Sequence, residues 1–505
     1  MRTLVRLAVP VLAGLAAALA FEPLAWALLL VPAVAGLSLA LTGLSGRRAF
    51  GVGLLFGIAF MGLLLPWLQV IGVDAWIGLS LLEASFFGVL GVALARVATL
   101  PWSPVWGAAC WVAVELLRSL VPWGGFPWGR LAFATVDTPL APAMGIVGTG
   151  GTTFLVALLG TTLAWLVAGG HRRRAAVSGV AIGTLALAAA PALVAAGLPE
   201  PAEERTVRVA AVQGNVPGEG MDAFSERRAV LDNHVSATLE LADQVDAGDT
   251  PAPDFVLWPE NSTDIDPFED ASVSADIQRA VDAMNVPILV GAMVGGPGPR
   301  DIENQGIVWE PGTGPGDSYS KTHPVPFGEY IPMRAQLAKL FERLDQIPRD
   351  MVPGTEPGLL DLAGTTIGDV ICFEVAYDGL IHEVVDGGAE MLVVQTNNAT
   401  YMGTGQVEQQ FAIARLRAIE TSRYVVVVAT NGVSGIVAPD GSVVERAPTR
   451  EAVVLEEDVP LRTVMTPGVR LGRWVELGLV VVALAALAWT VVLERRSRGR
   501  AGTAS

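Results

Sequence analysis

The chain has 505 residues, of which 52% are hydrophobic and only 16% are charged. This composition excludes an ordinary soluble protein, and the length allows more than one domain. The formal net charge of −17 argues against nucleic acid as a partner, because nucleic-acid-binding domains are basic.

Eight apolar runs, most of them near the roughly 20 residues that cross a bilayer, predict an α-helical membrane domain with eight spans. Seven lie in residues 1–198 and the eighth in residues 475–494, before a basic tail at 495–505. Two of the runs contain an acidic residue, Glu83 or Glu115, which either forms an ion pair or lines a polar cavity for a lipid headgroup. The runs are residues 4–20, 24–44, 53–71, 75–95, 102–117, 147–168, 175–198 and 477–493.

Most arginines near the apolar runs fall on one side of the predicted membrane. They lie at both termini and after the second, fourth and sixth runs. Because positive residues stay on the cytoplasmic side, this pattern predicts a multi-pass protein of the inner (plasma) membrane with both termini cytoplasmic. Residues 199–474 then form an extracytoplasmic domain, whose acidic character favours lipids, peptides or small molecules as partners.

A loop rich in tryptophan and glycine, residues 122–130, separates the fifth and sixth runs. Indole rings prefer the headgroup zone, so Trp123 and Trp128 fit an interfacial belt. The alternative is that these two residues bind acyl chains.

Strand and helix patterns alternate through the extracytoplasmic domain, which predicts an α/β domain with buried sheets. Glycine-rich and proline-rich residues 295–300 and 311–316 are predicted loops, and Asp440-Gly441 marks a hairpin turn. Predicted strands are residues 207–213, 254–258, 287–294, 366–372, 391–395 and 424–430, and predicted helices are 224–245, 272–284, 377–386 and 406–422.

Cys372 ends a predicted strand, and the only other cysteine, Cys110, lies in an apolar run. An unpaired thiol in the polar domain is either a buried small hydrophobe or a nucleophile. Glu260 and Lys321 also follow strand patterns, and strand ends converge in α/β sheets. A thiol needs a base and an attacked carbonyl needs a cationic or N–H donor, which this trio supplies. A helix cap for Glu260 and a solvated surface site for Lys321 are the structural alternatives.

Three motifs together resemble the nitrilase (carbon-nitrogen hydrolase) superfamily. They are Trp-Pro-Glu ending at Glu260, Lys321 followed by Val-Pro-Phe-Gly-Glu ending at Glu329, and Cys-Phe-Glu from Cys372 to Glu374. With the membrane pattern and the segments 212–217 and 430–435, the chain resembles the apolipoprotein N-acyltransferase family. The resemblance implies an αββα sandwich with a Glu-Lys-Cys triad.

The same resemblance implies roles for the site residues. Glu260 would be the general base, and Lys321 with the N–H of Phe373 would stabilise the oxyanion. Glu329 and Glu374 would hold Lys321 and Glu260 in position, although both also fit ordinary ion pairs.

The implied reaction begins with attack of the thiol on an acyl ester of a phospholipid. The resulting thioester would pass its acyl chain to the N-terminal α-amino group of a diacylglyceryl-cysteine lipoprotein, with ping-pong kinetics. The alternatives are a membrane-anchored nitrilase-type amidase, and a transporter or receptor whose external domain only binds ligand. Because the sequence has no cluster with metal-ligand spacing and no nucleotide-type phosphate loop, we expect no metal and no cofactor.

The chain departs from the family pattern in places. Residues 217–224 lack a usual tryptophan, for which Met221 or Phe224 is the predicted substitute, and Phe373 replaces a usual tyrosine. Asn398 replaces an aspartate and is predicted, with Tyr401, to contact substrate. Residues 337–344 predict an amphipathic helix carrying Phe341, which either enters the outer leaflet to admit lipid or packs on the domain.

Overall fold

The computed structural model describes residues 2–169, 183–191, 193–194, 205–217, 227–334 and 349–502. The chain forms two compact units, a helical unit of residues 1–198 with 466–505 and an α/β unit of residues 199–465. Met221, Phe224 and Phe341 lie outside the described residues, as does the predicted amphipathic helix.

Helices occur in both units, and short 3-10 turns lie at Ala27–Leu29, Pro66–Val70, Leu131–Ala134, Cys372–Ala376 and Ala399–Tyr401. In chain order the helices are α1 (Arg2–Leu19), α2 (Leu30–Ala40), α3 (Gly46–Leu64), α4 (Val73–Val97), α5 (Ser103–Arg118), α6 (Ala143–Ala168), α7 (Arg227–Ala247), α8 (Ala271–Met284), α9 (Asp378–Asp386), α10 (Gln406–Thr421) and α11 (Pro467–Gly502).

The described helical unit contains four helices long and apolar enough to cross a membrane, α3, α4, α6 and α11, instead of the eight predicted. The first two predicted runs are shorter apolar helices because the chain turns at residues 20–26, and α5 has only 16 residues. Of the seventh run, only residues 183–191 and 193–194 are described, as helix. Apolar composition therefore overestimated helix length wherever a turn is itself apolar.

Small residues let α3 and α4 approach closely. A Cβ on Gly53 would lie 2.1 Å from the carbonyl oxygen of Phe87, and one on Gly57 would lie 2.7 Å from the Cα of Ala84. Such close backbone contact is typical of helices packed within a membrane.

The acidic residues within the predicted spans have cationic partners. Arg118 Nη1 lies 3.1 Å from Glu83 Oε2, and Arg130 Nε lies 3.6 Å from Glu115 Oε2. Arg130 also pairs with Glu476 of α11. These buried pairs satisfy the requirement that a charge in an apolar setting be neutralised.

The α/β unit contains two sheets. One has the strand order β13-β1-β2-β3-β4-β5 with β6 paired to β4, and the other has the order β12-β11-β10-β9-β8-β7. The strands are β1 (Thr206–Gln213), β2 (Phe255–Leu257), β3 (Ile288–Gly295), β4 (Asp301–Glu310), β5 (Gly314–Ser320), β6 (Asp350–Met351), β7 (Leu359–Leu362), β8 (Thr365–Ile371), β9 (Met391–Thr396), β10 (Val425–Ala429), β11 (Gly435–Val437), β12 (Val443–Arg446) and β13 (Val453–Pro460).

The two sheets pack face to face over an apolar core that includes Val209, Leu257, Ile371 and Val393. Helices α7 and α8 cover the outer face of the first sheet, while α9 and α10 contact strands of the second. The order of layers is thus helix, sheet, sheet, helix, as expected for an αββα sandwich.

Parallel strands in the middle of each sheet, β1 to β3 and β8 to β10, bring their carboxyl ends to one edge. Cys372 directly follows β8, and Glu260 lies three residues after the last residue of β2. The fold therefore places strand ends of both sheets where a shared site can form.

Candidate active site

Cys372 begins the 3-10 turn after β8 with a φ of 58°, a left-handed conformation that costs a non-glycine residue roughly 1–3 kcal/mol. The Ile371 N–H donates to Glu374 Oε2 at 2.8 Å, which fixes the backbone just before the thiol. Cys372 is half-buried, and its neighbours are charged. The side chain thus packs against the apolar core and faces charged groups at a strand end.

Lys321 is fully buried between two carboxylates. Its Nζ donates to Glu260 Oε1 at 3.2 Å and to Glu329 Oε1 at 2.7 Å. Burial acts to lower the pKa of Lys321, but the charges of Glu260 and Glu329 outweigh it and hold that pKa well above its usual value. The ammonium therefore stays protonated at neutral pH and is a permanent donor in the site.

Both oxygens of Glu260 accept further hydrogen bonds. Asn304 Nδ2 donates to Oε1 at 2.7 Å, and the Asn397 N–H donates to Oε2 at 2.7 Å. These donors come from β4 and from the end of β9, so both sheets fix the orientation of this carboxylate.

Glu329 and Glu374 anchor the segment that carries Lys321. Glu329 Oε2 accepts from the Val325 N–H at 2.8 Å, and burial raises the pKa of Glu329 against the opposing charge of Lys321. Glu374 accepts from the Thr322 N–H at 2.7 Å and from the His323 N–H at 2.9 Å.

The hydrogen bonds of Glu374 decide its ionisation. Burial acts to raise the pKa of Glu374, but hydrogen bonds from His323 and the charge of Lys321 outweigh it and keep that pKa below its usual value. The Tyr319 hydroxyl also donates to this carboxylate at 2.9 Å. Glu374 thus binds the backbone just after Lys321. The sequence predicted that Glu329 and Glu374 hold Lys321 and Glu260 in position.

Desolvation, together with the charge of Glu260, raises the pKa of the Cys372 thiol to about 12 against the opposing charge of Lys321. At neutral pH the resting group is therefore a thiol that needs a base before it can attack. Glu260 lies close enough to act on this thiol electrostatically.

The remaining predicted site residues differ in exposure. Phe373 is buried and packs edge-on against Tyr377, with ring centroids 5.7 Å apart. Asn398 Nδ2 donates to Gln410 Oε1 at 2.9 Å, so this residue keeps a hydrogen-bonding role. Burial and then the charge of Cys372 raise the pKa of Tyr401, so its hydroxyl lies within electrostatic range of the thiol.

The two tryptophans of the predicted lipid-contact loop belong to the helical unit. Trp123 is 40% exposed, whereas Trp128 is 1% exposed and packs edge-on against Trp67 at 6.0 Å. A lipid would reach Trp123 directly, but contact with Trp128 would require its neighbours to move.

Sequence reasoning missed three polar residues of the site, Asn304, Thr396 and Gln410, all of which are buried. Asn304 lies on β4, a strand without a clear apolar pattern, and Gln410 lies on α10. The sequence carries no clear signal for them, because both elements contain many other polar residues and only the structure shows which amides are buried and must find partners. Among the described residues, no group of three or more acidic, histidine or cysteine side chains is placed to hold a metal.

Two family descriptions match the chain. Residues 208–466 match the carbon-nitrogen hydrolase family, and residues 13–162 match the apolipoprotein N-acyltransferase N-terminal domain. The α/β unit is therefore a carbon-nitrogen hydrolase domain, which agrees with its two-sheet sandwich.

Relatives extend these matches over nearly the whole chain. It is 40% identical over 495 residues to the apolipoprotein N-acyltransferase of Mycolicibacterium smegmatis, covering 94% of this chain and 83% of the relative. It is 26% identical over 522 residues to the enzyme of that name from Photobacterium profundum, covering 98% and 96%. The chain belongs to the apolipoprotein N-acyltransferase family, and so to the acyltransferase enzymes.

An amidase of the nitrilase superfamily from Nesterenkonia is a structural neighbour. The two are 15% identical, the match covers 52% of this chain and 94% of the amidase, and the TM-score is 0.38.

Proposed function

We propose that the protein transfers an acyl chain from a membrane phospholipid, through a thioester on Cys372, to the N-terminal α-amino group of a diacylglyceryl-cysteine lipoprotein. The observation that carries the proposal is the cluster of Glu260, Lys321 and Cys372 at the strand ends. It combines a base, a fixed cation and a partly accessible thiol within a family of acyltransferases.

In the first half-reaction Glu260 takes the thiol proton of Cys372 while Sγ attacks the ester carbonyl of the phospholipid. The developing oxyanion accepts hydrogen bonds from Lys321 Nζ and from the N–H of Phe373. When the tetrahedral intermediate collapses, Glu260 returns the proton to the departing glycerol oxygen. A lysophospholipid leaves and the acyl chain remains as a thioester.

In the second half-reaction the neutral α-amine of the lipoprotein attacks the thioester carbonyl, and the same donors hold the oxyanion. Glu260 takes a proton from the attacking nitrogen, the C–S bond breaks, and the proton passes to the departing sulfur. The products are an amide and the resting thiol. Donor and acceptor use one site in turn, which gives ping-pong kinetics.

Four further residues support this chemistry in our proposal. Glu329 and Glu374 position Lys321, because one binds its ammonium and the other binds the backbone just after it. Phe373 contributes its backbone donor, and Tyr401 lies near the thiol, where the acyl chain would pass.

The other substrate contacts are proposed from the sequence. Trp123, Trp128 and Phe341 are assigned to lipid, and Asn398 is assigned to the wall of the substrate site.

We further propose that the protein is a multi-pass protein of the inner membrane, with the α/β unit on the extracytoplasmic face and both termini in the cytoplasm. The positions of the arginines and the apolar helices support this arrangement. Single cysteines introduced near residues 173 and 440 into a background that carries both Cys110→Ala and Cys372→Ala should react with a membrane-impermeant maleimide only at the second position. Labelling of residue 173 in intact cells would refute the orientation.

The central experiment incubates purified full-length protein with a defined phospholipid and a synthetic diacylated lipopeptide. Mass spectrometry should show an acyl adduct on Cys372 with phospholipid alone, and triacylated peptide after the peptide is added. Cys372→Ala should give neither product. Free fatty acid without triacylated peptide would instead assign a hydrolase, and transfer by Cys372→Ala would refute the nucleophile.

A further inference from the structure

We propose that the hydroxyl of Thr396 donates a hydrogen bond to the sulfur of Cys372 as the thiolate forms, which makes Thr396 a further catalytic residue. Gln410 is the residue that positions this hydroxyl. The inference rests on the proposed function, because it requires Cys372 to be the nucleophile.

The strand register brings the two side chains together. β8 and β9 are parallel neighbours in which Ile371 is paired with Gln395. Cys372 directly follows Ile371 and Thr396 directly follows Gln395, so the two residues are neighbours where the paired strands end. A hydrogen bond from the Thr396 side chain lowers the pKa of the Cys372 thiol, against the larger opposing effect of desolvation.

With Asn398 and Gln406 in their observed orientations, the amide of Gln410 has one favourable orientation. Its Oε1 accepts from Asn398 Nδ2 at 2.9 Å and from Gln406 Nε2 at 2.9 Å. Rotating the amide by half a turn would place its own NH₂ group against two other NH₂ groups, which all donate. Gln410 Nε2 therefore points the other way, and it donates to Thr396 Oγ1 at 3.0 Å.

This orientation determines the direction in which Thr396 donates. Because its oxygen accepts from Gln410, the hydroxyl proton is free to point to a different acceptor. Thr396 and Gln410 are both almost fully buried, so water does not compete for that proton in the resting protein. The neighbouring sulfur gains negative charge when Glu260 removes its proton, and a hydrogen bond to a charged acceptor is stronger than one to a neutral acceptor.

The same hydrogen bond acts twice in a catalytic cycle. It stabilises the sulfur while the thiol becomes an attacking thiolate, and again when the C–S bond of the thioester breaks. It is weaker in the intact thioester, whose sulfur carries no charge. Loss of the bond should therefore lower kcat in both half-reactions and leave the KM for either substrate nearly unchanged.

The test compares Thr396→Val, which keeps the shape of the side chain, with Thr396→Ser, which keeps the hydroxyl. Thr421→Val is the matched control, because Thr421 is equally buried but its hydroxyl donates to the Arg417 carbonyl within α10. Two readouts are measured on purified full-length protein: acyl transfer, and alkylation of Cys372 by iodoacetamide at pH 8, followed on its own peptide.

Thr396→Val should lower both the alkylation rate and kcat by about 10- to 100-fold, the effect of one hydrogen bond to a charged group. Thr396→Ser should stay within about threefold of wild type, and Thr421→Val should match wild type. Wild-type alkylation by Thr396→Val would overturn the inference, and so would equal losses in Thr396→Val and Thr421→Val.

Gln410→Met provides a second route should Thr396→Val fold poorly. It keeps the threonine but removes the donor that directs it, so alkylation should slow by about tenfold. In the Thr396→Val background the same change should add nothing, because the two residues act in series. Additive losses in the double variant would overturn the proposal that Gln410 acts through Thr396. Alkylation does not depend on acyl transfer, so an inactive but normally alkylated wild type would count against the proposed function alone.

Discussion

Replacing Glu260 with glutamine should speed the alkylation of Cys372 and slow acyl transfer. Desolvation is the main cause of the raised thiol pKa, and the charge of Glu260 is the next. Removing that charge while Lys321 stays positive should lower the pKa of Cys372 from about 12. A decrease of about one unit would raise the thiolate fraction at pH 8, and the alkylation rate, about tenfold.

Acyl transfer should fall in the same variant, because a glutamine side chain accepts no proton from the thiol or the amine. Loss of a general base costs about 10²- to 10⁴-fold in rate. Glu303→Gln is the matched control: Glu303 precedes Asn304 on β4, but its carboxylate accepts from Ser320 and Gln305. It should leave both readouts near wild type.

The opposite signs make the experiment decisive. A Glu260→Gln protein that loses transfer and also alkylates more slowly would show that the charge of Glu260 does not hold the thiol protonated, and the electrostatic reasoning would be wrong. Transfer within about tenfold of wild type would exclude Glu260 as the base altogether.

Three further predictions concern stability, measured by thermal or denaturant unfolding in detergent. Lys321→Met should destabilise the α/β unit by about 3–5 kcal/mol, because Glu260 and Glu329 lose their buried cation; an unchanged unfolding midpoint would refute this. Glu374→Gln should cost about 1–3 kcal/mol at pH 7. Because the pKa of Glu374 is depressed, that difference should shrink as pH falls below the ordinary value of 4.5, and a constant difference would contradict the prediction. Asp369→Asn should stabilise the protein. Burial, and then the charges of Glu374 and Glu260, raise the pKa of Asp369 well above its usual value of 3.8. Above pH 3.8 the folded protein therefore keeps a proton on Asp369 that the unfolded chain has released, which costs stability. The advantage of this variant should grow by about 1.4 kcal/mol per pH unit until the folded pKa is passed, and no gain between pH 4 and pH 7 would show that Asp369 ionises normally.

Local patterns predicted the elements that end at the site. The apolar run before Cys372 became β8, and the helical spacing near residue 406 became α10. Both elements are buried, so their sequences carry strong apolar patterns. Glu260 and Lys321 were predicted as site residues because each follows a strand pattern and belongs to a family motif. The distance between them could be known only from the folded chain.

The hairpin of β4 and β5 was the main omission of the fold prediction. Residues 311–316 were expected to be loop, yet β5 begins at Gly314. Its sequence, Gly-Pro-Gly-Asp-Ser-Tyr-Ser, has almost no apolar alternation because most of the strand is exposed. Pairing with β4 supplies the stability that composition does not, since sheet formation depends on context more than on propensity.

Local sequence patterns could not predict contacts that depend on how neighbouring strands are paired. Asn304 reaches Glu260 only because β4 pairs with β3, and Thr396 reaches Cys372 only because β9 pairs in parallel with β8. A shift of one residue in either pair would turn these side chains to the opposite face. The sequence shows such residues only as polar positions, whereas their burial and their partners are set by the pairing of the strands.

The electrostatics of the site explain why so many donors surround one thiol. Three carboxylates, Glu260, Glu329 and Glu374, lie close to the single ammonium of Lys321, so the site disfavours additional negative charge. A resting thiol is the stable state of such a site, and it becomes a nucleophile only while a base accepts its proton. The same negative surroundings oppose the oxyanion that follows. Stabilisation of both charges must therefore come from fixed hydrogen-bond donors, which explains why the Lys321 ammonium and the backbone at Cys372 are each held by a carboxylate.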